Sequence, residues 1–559
     1  MLIQSQTRAQ TLEEVTRLLQ QYVAINTSNP PGDTTKAADF LTAILEKEGV
    51  PVTRYESAPG KVIVYARLKA TVSPPAGRAI LLLHHMDVVP ADRAQWKTDP
   101  FTPVIKGDEL WGRGSMDMKG QGVAQLVAFL MLKRQNVPRT RDVILMAEPD
   151  EEVGGALGAR WMIANHYAEL DPEYVIDEGG FGSTDLFAPN KMVYGVSVAE
   201  KKIVWLKLRA EGVAGHGSQP TDTNPNDRLV RALARLLGND VGRAFQGREG
   251  GPERPALQPS REPTVLDMMQ AKVGAFAQNN FTNAIQHSTI SLTWFRSGVG
   301  DPPKINVIPS VAEAGLDCRV LPGTTKDQWI AEIARRLDDP AIKIELINES
   351  DDPVVTSQDT PLYRNIEKAI QRRHPEAIVT PVLIPYGTDS NAFRPTGVKS
   401  YGIFPALLPA DVVGSMHGDG EHISLASVRE GAQLFFEALR DTLSPSTAPR
   451  AAAPIRVMLL DGESGGPYHD WKRTTQVLKK QLDETGLFQV DVVTAPPAGS
   501  SFSAFKPAFT TYQAVVLNYD APDERWPAAP RTSFEQYVNG GGGVVSVHAS
   551  DNAFPGWKA

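Results

Sequence analysis

The chain has 559 residues, enough for about three or four domains, so a small stapled scaffold is excluded. Hydrophobic residues make up 42% and charged residues 22%, the balance of a folded globular protein rather than a disordered one. Lys+Arg number 57 against 65 Asp+Glu, a net charge of -8, which leaves no positive surplus to hold a phosphate backbone, and nucleic acid is not an expected partner.

Leu12, Val15, Leu18, Leu19 and Val23 recur at helical spacing, as do Ala38, Leu41, Ile44 and Leu45 before Gly49, which predicts two amphipathic helices at the start of the chain. Aliphatic runs at 62–64, 79–83 and 143–146, with a helical pattern over 119–134 between the last two, predict an α/β sheet covered by helices. From 198 to 347 the texture changes. Strand-like 203–208, 289–295, 312–320 and 342–346 and helix-like 228–237 and 326–337 give a two-layer β-α-β-β-α-β unit. The stretch 239–286 is longer than such a unit requires. Its Phe245, Leu266, Met268, Met269, Val273 and Phe276 predict packing or a dimer contact. Residues 353–443 then complete the first domain around the insertion. Residues 444–454, SPSTAPRAAAP, read as an exposed linker. Beyond it, strand-like 455–460, 490–493, 514–517 and 543–547 alternate with helix-like 471–484 and 532–538, predicting a separate α/β domain. No 18-residue apolar run occurs and the first ten residues hold no signal-like apolar stretch, so the expectation is no membrane segment and a cytoplasmic location as the chain stands.

The single cysteine, Cys318, rules out an internal disulfide or a thiolate cluster, so any metal falls to histidines and carboxylates. Leu81-Leu82-Leu83-His84-His85-Met86-Asp87 is an aliphatic strand ending in polar residues, the place where open α/β sheets put their ligands. A side-chain period of two puts His85 and Asp87 on one face and His84 on the other, and Asp87 is placed to hold one ring nitrogen of His85. Alone, His85 equally fits a core histidine satisfied by a neighbouring Asp. Gly112-Arg113-Gly114-Ser115-Met116-Asp117 sets a carboxylate in a glycine-rich turn before a helix, where a plain cap is the common use. Two short apolar strands empty into Asp150-Glu151-Glu152 and into Asp177-Glu178-Gly179. Met416-His417-Gly418-Asp419-Gly420-Glu421 is the last such segment. Each is weak by itself, since a charge run usually marks a solvated face, but together they offer histidines and carboxylates suited to paired divalent ions.

In this order the segments H-x-D-x-V-P, G-R-G-x-x-D-x-K-G, D-E-E-x-G, D-E-G and M-H-G-x-x-E resemble the M20 family of di-metal peptidases and aminoacylases, over about residues 11–443. The resemblance implies that Asp117 bridges two divalent ions, zinc foremost with cobalt or manganese as alternatives. His85 and Glu178 would complete one site, and Glu152 and His417 the other. Glu151 becomes the general base and Asp87 the support of His85. His84 departs from the family, which usually has glycine there, and adds a possible stray ligand; at Gly420 relatives often carry an acidic residue. The implied architecture is a catalytic sheet domain at 1–197 and 350–443 with a ferredoxin-like lid and dimerisation domain at 198–349. Gly215-His216-Gly217-Ser218 matches the lid segment whose His stabilises the oxyanion in the partner subunit's active site. Asn306 and the Asp317-Cys318-Arg319 segment match the residues that hold the substrate's carbonyl and free carboxylate. A guanidinium suits that task, although an ion pair internal to the lid explains Arg319 as well. Gly387-Thr388-Asp389-Ser390 matches a segment lining the cleft. The implied activity is cleavage of an amide bond beside a free carboxylate in a small peptide or N-acyl amino acid, by a homodimer acting as carboxypeptidase, dipeptidase or N-acyl-amino-acid hydrolase.

Residues 455–559 resemble, through Leu459-Leu460-Asp461-Gly462, His469-Asp470-Trp471, Leu517-Asn518-Tyr519 and the glycine run before His548, the first half of a flavodoxin-like ThuA-like domain. His469, Asp470 and His548 are candidates for a polar site there, with cap and turn roles as the alternative. A competing reading is a sugar- or partner-binding fusion acting through this domain, with the hydrolase part degenerate.

Overall fold

The structure, a computed structural model, describes residues 2–73, 75–238, 263–444, 454–463, 470–485, 487–547 and 550. Phe245, most of the expected linker, His469 and His548 lie outside them. The chain divides into two compact units, Met1–Pro445 and Ser446–Ala559.

In chain order the first unit contains α1 (Leu2–Val23), α2 (Thr35–Lys47), β1 (Val52–Ala58), β2 (Lys61–Leu68), β3 (Ala79–His85), β4 (Val104–Lys106), β5 (Glu109–Trp111), α3 (Lys119–Arg134), β6 (Val143–Glu148), α4 (Ala159–Leu170), β7 (Pro172–Ser183), β8 (Val193–Glu200) and β9 (Lys202–Glu211). It continues with β10 (Gly215–His216), α5 (Pro225–Leu237), α6 (Val265–Val273), α7 (Asn280–Gln286), β11 (Thr289–Ser297), β12 (Val307–Ile308), β13 (Val311–Val320), α8 (Lys326–Leu337) and β14 (Lys343–Glu349). The last part holds α9 (Pro361–Arg373), β15 (Ile378–Ile384), α10 (Ser390–Phe393), β16 (Lys399–Leu407), α11 (Ala410–Gly414), β17 (His422–Ser424) and α12 (Leu425–Leu443).

The main sheet runs β1-β2-β6-β3-β7-β16-β8-β15, with β6, β3, β7 and β16 parallel at its centre. Strands covered on both faces must be apolar throughout, and β3 is buried at every residue. Helix α3 is buried from Lys119 to Leu132 because it lies between the sheet and the outer helices α1 and α12, so it needs no polar face. His84, on the far side of β3 from His85, is buried beneath this helix, with its Nε2 3.4 Å from the Tyr22 hydroxyl. Gly122 makes room for it: a Cβ there would stand 2.6 Å from the His84 ring. Burial, then the charge of His85, pushes His84 down to about 3, so it is neutral, and its place under α3 on the opposite face of β3 from His85 makes it a packing residue rather than a stray ligand.

The second sheet is antiparallel, in the order β11-β13-β9-β14. Along β9 buried and half-buried residues alternate. Val204, Leu206 and Leu208 join Ala314, Leu316, Trp329 and Ile333 in a core under α5 and α8, which leaves Ile203, Trp205 and Lys207 on the open face. Asn224 caps α5 and a Thr325–Gln328 capping box starts α8. Part of the 198–349 segment goes elsewhere: Val265, Leu266, Met269, Val273, Phe276 and Ile285 enter the main core, with α6 packed on the edge strand β15.

The second unit contains β18 (Ile455–Asp461), α13 (Trp471–Glu484), β19 (Phe488–Thr494), β20 (Ala514–Leu517), α14 (Ala528–Asn539) and β21 (Gly543–Ser546), its strands parallel in the order β19-β18-β20-β21. Asp470 accepts a hydrogen bond from the Arg473 amide and caps α13, the turn role anticipated as its alternative.

Candidate active site

Strands β6, β3 and β7 are neighbours, so their carboxyl ends converge: β3 delivers His85, β7 carries Glu178, and the turn after β6 carries Glu151 and Glu152. Between β6 and α4 the chain passes so close to Glu148 that a Cβ at Gly158 would lie 1.3 Å from its Oε2; only glycine fits. Asp117 comes from the loop before α3 and His417 from the loop before β17.

Asp117 stands between the two histidines. Its Oδ1 is 3.1 Å from Nε2 of His85 and its Oδ2 is 3.0 Å from Nε2 of His417. Glu178 Oε1 lies 3.7 Å from His85 Nε2, and Glu152 Oε2 3.3 Å from His417 Nε2. Ligand atoms of His85, Asp117 and Glu152 lie within 4.8 Å of one another, as do those of His85, Glu151 and Glu178. The Nδ1 of His85 is 2.9 Å from the Asp87 carbonyl, which only accepts, so Nδ1 donates and Nε2 is turned toward the carboxylates. The carbonyl of Asp87, rather than its carboxylate at 3.6 Å, makes that contact. The carboxylate accepts from the Asn29 amide at 2.8 Å and from the Glu152 backbone amide at 3.3 Å, tying two segments of the site together.

This crowding of acids perturbs every member. Burial, then Glu178, pushes Glu151 well above the usual carboxylate range; burial, then Asp117, does the same to Glu178 and raises Glu152. Hydrogen bonds to Asp117 and Glu152 raise His417 to about 10. Burial pulls His85 down, yet its contacts with Asp117 and Asp87 and the nearby glutamates hold it well above its ordinary value. Burial alone would raise Asp117, but the two histidines bring it below the usual range. Such a group of nitrogen and carboxylate donors fits divalent cations, which would replace the protons these residues otherwise hold.

Residues outside the expected set hold the site in place. Glu421, fully buried, accepts from Arg113 at 2.7 Å and from the backbone amides of Gly114, Met116 and Asp117 at 3.0, 2.8 and 3.0 Å. Arg113 also donates to the carbonyl of His417, so one ion pair fixes both loops that flank the cluster. Asn29 joins Asp87 to the buried pair Lys61–Asp150, which is 2.9 Å long. Tyr386 donates to the carbonyl of Gly179, beside Glu178. Their roles leave little sequence signal, because each works through backbone groups or through partners far off in the chain.

His216 and Asn306 come together on a separate two-stranded ribbon: His216 pairs with Val307, and the Gly217 amide donates to the Asn306 carbonyl at 2.8 Å. His216 is exposed, its Nδ1 2.7 Å from the Ser218 hydroxyl. Arg319 donates from Nε and Nη2 to Asp317 at 2.8 and 3.1 Å, the ion pair weighed beside its substrate role. Among the described residues no hydrogen bond or ion pair joins His216, Asn306 or Arg319 to the His85–Asp117–His417 cluster.

The model of peptidase family M20/M25/M40 matches residues 81–441. The chain belongs to this family. It is accordingly a metal-dependent hydrolase of peptide or amide bonds. This M20 chain is 29% identical to human N-fatty-acyl-amino acid synthase/hydrolase PM20D1 over 385 residues, covering 66% of the chain and 75% of that protein. It is 25% identical to aminoacylase-1 of Sus scrofa over 445 residues, covering 77% and 96%. Its fold is similar to the M20 family metallo-carboxypeptidase Sso-CP2 from Sulfolobus solfataricus, with a TM-score of 0.59 and 20% identity over 77% of the chain and 99% of that structure. Among the described residues of the M20 chain no helix is long and apolar enough to cross a membrane.

Proposed function

We propose that this M20 chain hydrolyses the amide bond of N-acyl amino acids or small peptides bearing a free carboxylate. The observation that carries the reading is Asp117 set between His85 and His417 with a glutamate beside each histidine. His85, Asp117 and Glu178 would hold one divalent ion and Asp117, Glu152 and His417 a second, zinc being the ion we favour for this nitrogen and oxygen set. When bound, such ions polarise the scissile carbonyl and acidify water. Glu151 takes the proton from the attacking water and returns it to the leaving amine, a task its burial suits because its carboxyl holds a proton more readily than an exposed one. Arg319 binds the carboxylate, and Asn306 the carbonyl.

The open sheet with α5 and α8 is read as a lid through which two copies pair. Exposed Trp294 and Phe295 on the edge strand β11 support this, and so does His216, which has no described contact to the cluster of its own chain. The parallel order of the second unit supports a ThuA-like reading of residues 455–559. The complete ligand set argues against a degenerate hydrolase.

The test is metal stoichiometry on purified protein with hydrolysis of a panel of N-acyl amino acids and dipeptides before and after chelation. About two ions per chain and chelator-sensitive cleavage are expected. An absence of bound metal and of cleavage, with zinc or manganese supplied, overturns the reading.

A further inference from the structure

We propose that Asp317 and Trp205 are positioning residues that aim one edge of the Arg319 guanidinium at the substrate's carboxylate, so that selectivity for a free acid depends on all three. The proposal rests on the reading of Arg319 as the residue that binds that carboxylate.

Arg319 uses Nε and Nη2 to donate to the two oxygens of Asp317, at 2.8 and 3.1 Å. A planar guanidinium has five N–H donors, and a carboxylate on its Nε side leaves the opposite edge, Nη1 with the second hydrogen of Nη2, free for another bidentate contact. Among the described residues nothing hydrogen-bonds or pairs with Nη1 of Arg319. Asp317 is held in turn, its Oδ1 accepting from the Trp205 indole at 3.0 Å. Trp205 faces Asp317 across β9 and β13, and Ile203 faces Arg319 one step along. All four alternate with the residues buried under α5 and α8, so they share the open face of the second sheet.

At Ile203 that face comes beside the Gly387 segment, which reaches toward the candidate active site. Ile203 Cδ1 lies 2.8 Å from where a Cβ on Gly387 would be, and the neighbouring Tyr386 hydroxyl donates to the carbonyl of Gly179, next to Glu178. As a stabilising device a half-exposed ion pair two residues apart on a strand does little. Holding a long, flexible side chain in one orientation, by contrast, removes an ordering cost that each substrate molecule would otherwise meet.

The experiment measures kcat and KM of Asp317→Asn and Trp205→Phe on N-dodecanoyl-L-phenylalanine and on its carboxamide. If the substrate panel favours peptides, a dipeptide and its carboxamide replace them. Asp317→Asn is expected to raise KM for the acid about tenfold with kcat little changed, Trp205→Phe to move KM the same way by about threefold, and neither to alter KM for the carboxamide. A lower KM for the acid in Asp317→Asn would mean that Asp317 competes with substrate. Equal losses on both substrates, or no change on either, would leave only a structural role; each of these results overturns the proposal. If Asp317→Asn does not fold, Trp205→Phe, which removes one N–H donor, decides the question. Arg319→Ala tests the underlying reading separately, because an unaltered preference for the acid in that variant rejects Arg319 as the carboxylate's partner whatever the other two show.

Discussion

At the scale of single residues the proposed division of the site, ligands for two ions and one group that moves a proton, sets apart two glutamates that are side by side in the chain. Glu152 faces His417 and shares a group with His85 and Asp117, whereas Glu151 lies with His85 and Glu178. Glu151→Gln is expected to lower kcat by about 10²–10⁴-fold with metal content measured by elemental analysis unchanged; loss of an ion in that variant would make Glu151 a ligand. The proposed ligands were legible as candidates because each sits in a short motif at a strand, a strand end or a glycine-containing loop. Glu421 closes one of those motifs, yet its role was not legible, nor was that of Asn29, since their work is to accept from or donate to segments far off in the chain, a relation that no local spacing encodes.

Secondary elements set how firmly those residues are held. Helix α3 matches the expected 119–134 at both ends. Its contact with β3, however, depends on the fit of Gly122 over the His84 ring. Gly122→Ala should cost about 1–3 kcal/mol in urea unfolding of the first unit, and less when His84 is also reduced to alanine, because the clash then has no ring to meet. Additive costs would show that the ring and the helix are independent. The junction of β8 and β9 carries a different signature. Lys201 is buried there, donating to the carbonyls of Ala284 and His287 at 2.9 and 2.8 Å, and burial, then the Arg319 charge, pulls it down to about 7. Between that value and its ordinary 10.5 the unfolded chain keeps a proton that the folded chain releases, so stability rises with pH across this window. The stability of wild type relative to Lys201→Met should therefore grow between pH 7 and pH 10 in parallel melts; a constant difference would show that Lys201 does not titrate there. The strand edges were legible from alternation, but the departure of α6 and α7 to the main core was not, since an apolar helix carries no address for the sheet it will cover.

At the scale of the whole molecule, each unit has its own apolar core: Val15, Leu82 and Phe435 belong to one, Met458, Phe509 and Trp526 to the other. Every residue placed in the active site belongs to the first. A chain ending at residue 444 is expected to keep its hydrolytic kcat/KM and its bound metal. Loss of both would mean that the second unit supports the catalytic fold.

The sequence by itself determined the layered α/β architecture, the place of the strand ends and the chemistry of the donor set, because hydrophobic period and residue type are local properties that survive without a fold. Only the tertiary structure decided which oxygen of Asp117 faces which histidine, that His84 is a neutral packing residue, that Glu421 clamps two loops, and that Asp317 takes one edge of Arg319 and leaves the other. These are matters of distance and direction between segments far apart in the chain, and they come into existence only when burial forces polar groups to find partners wherever the packing puts them.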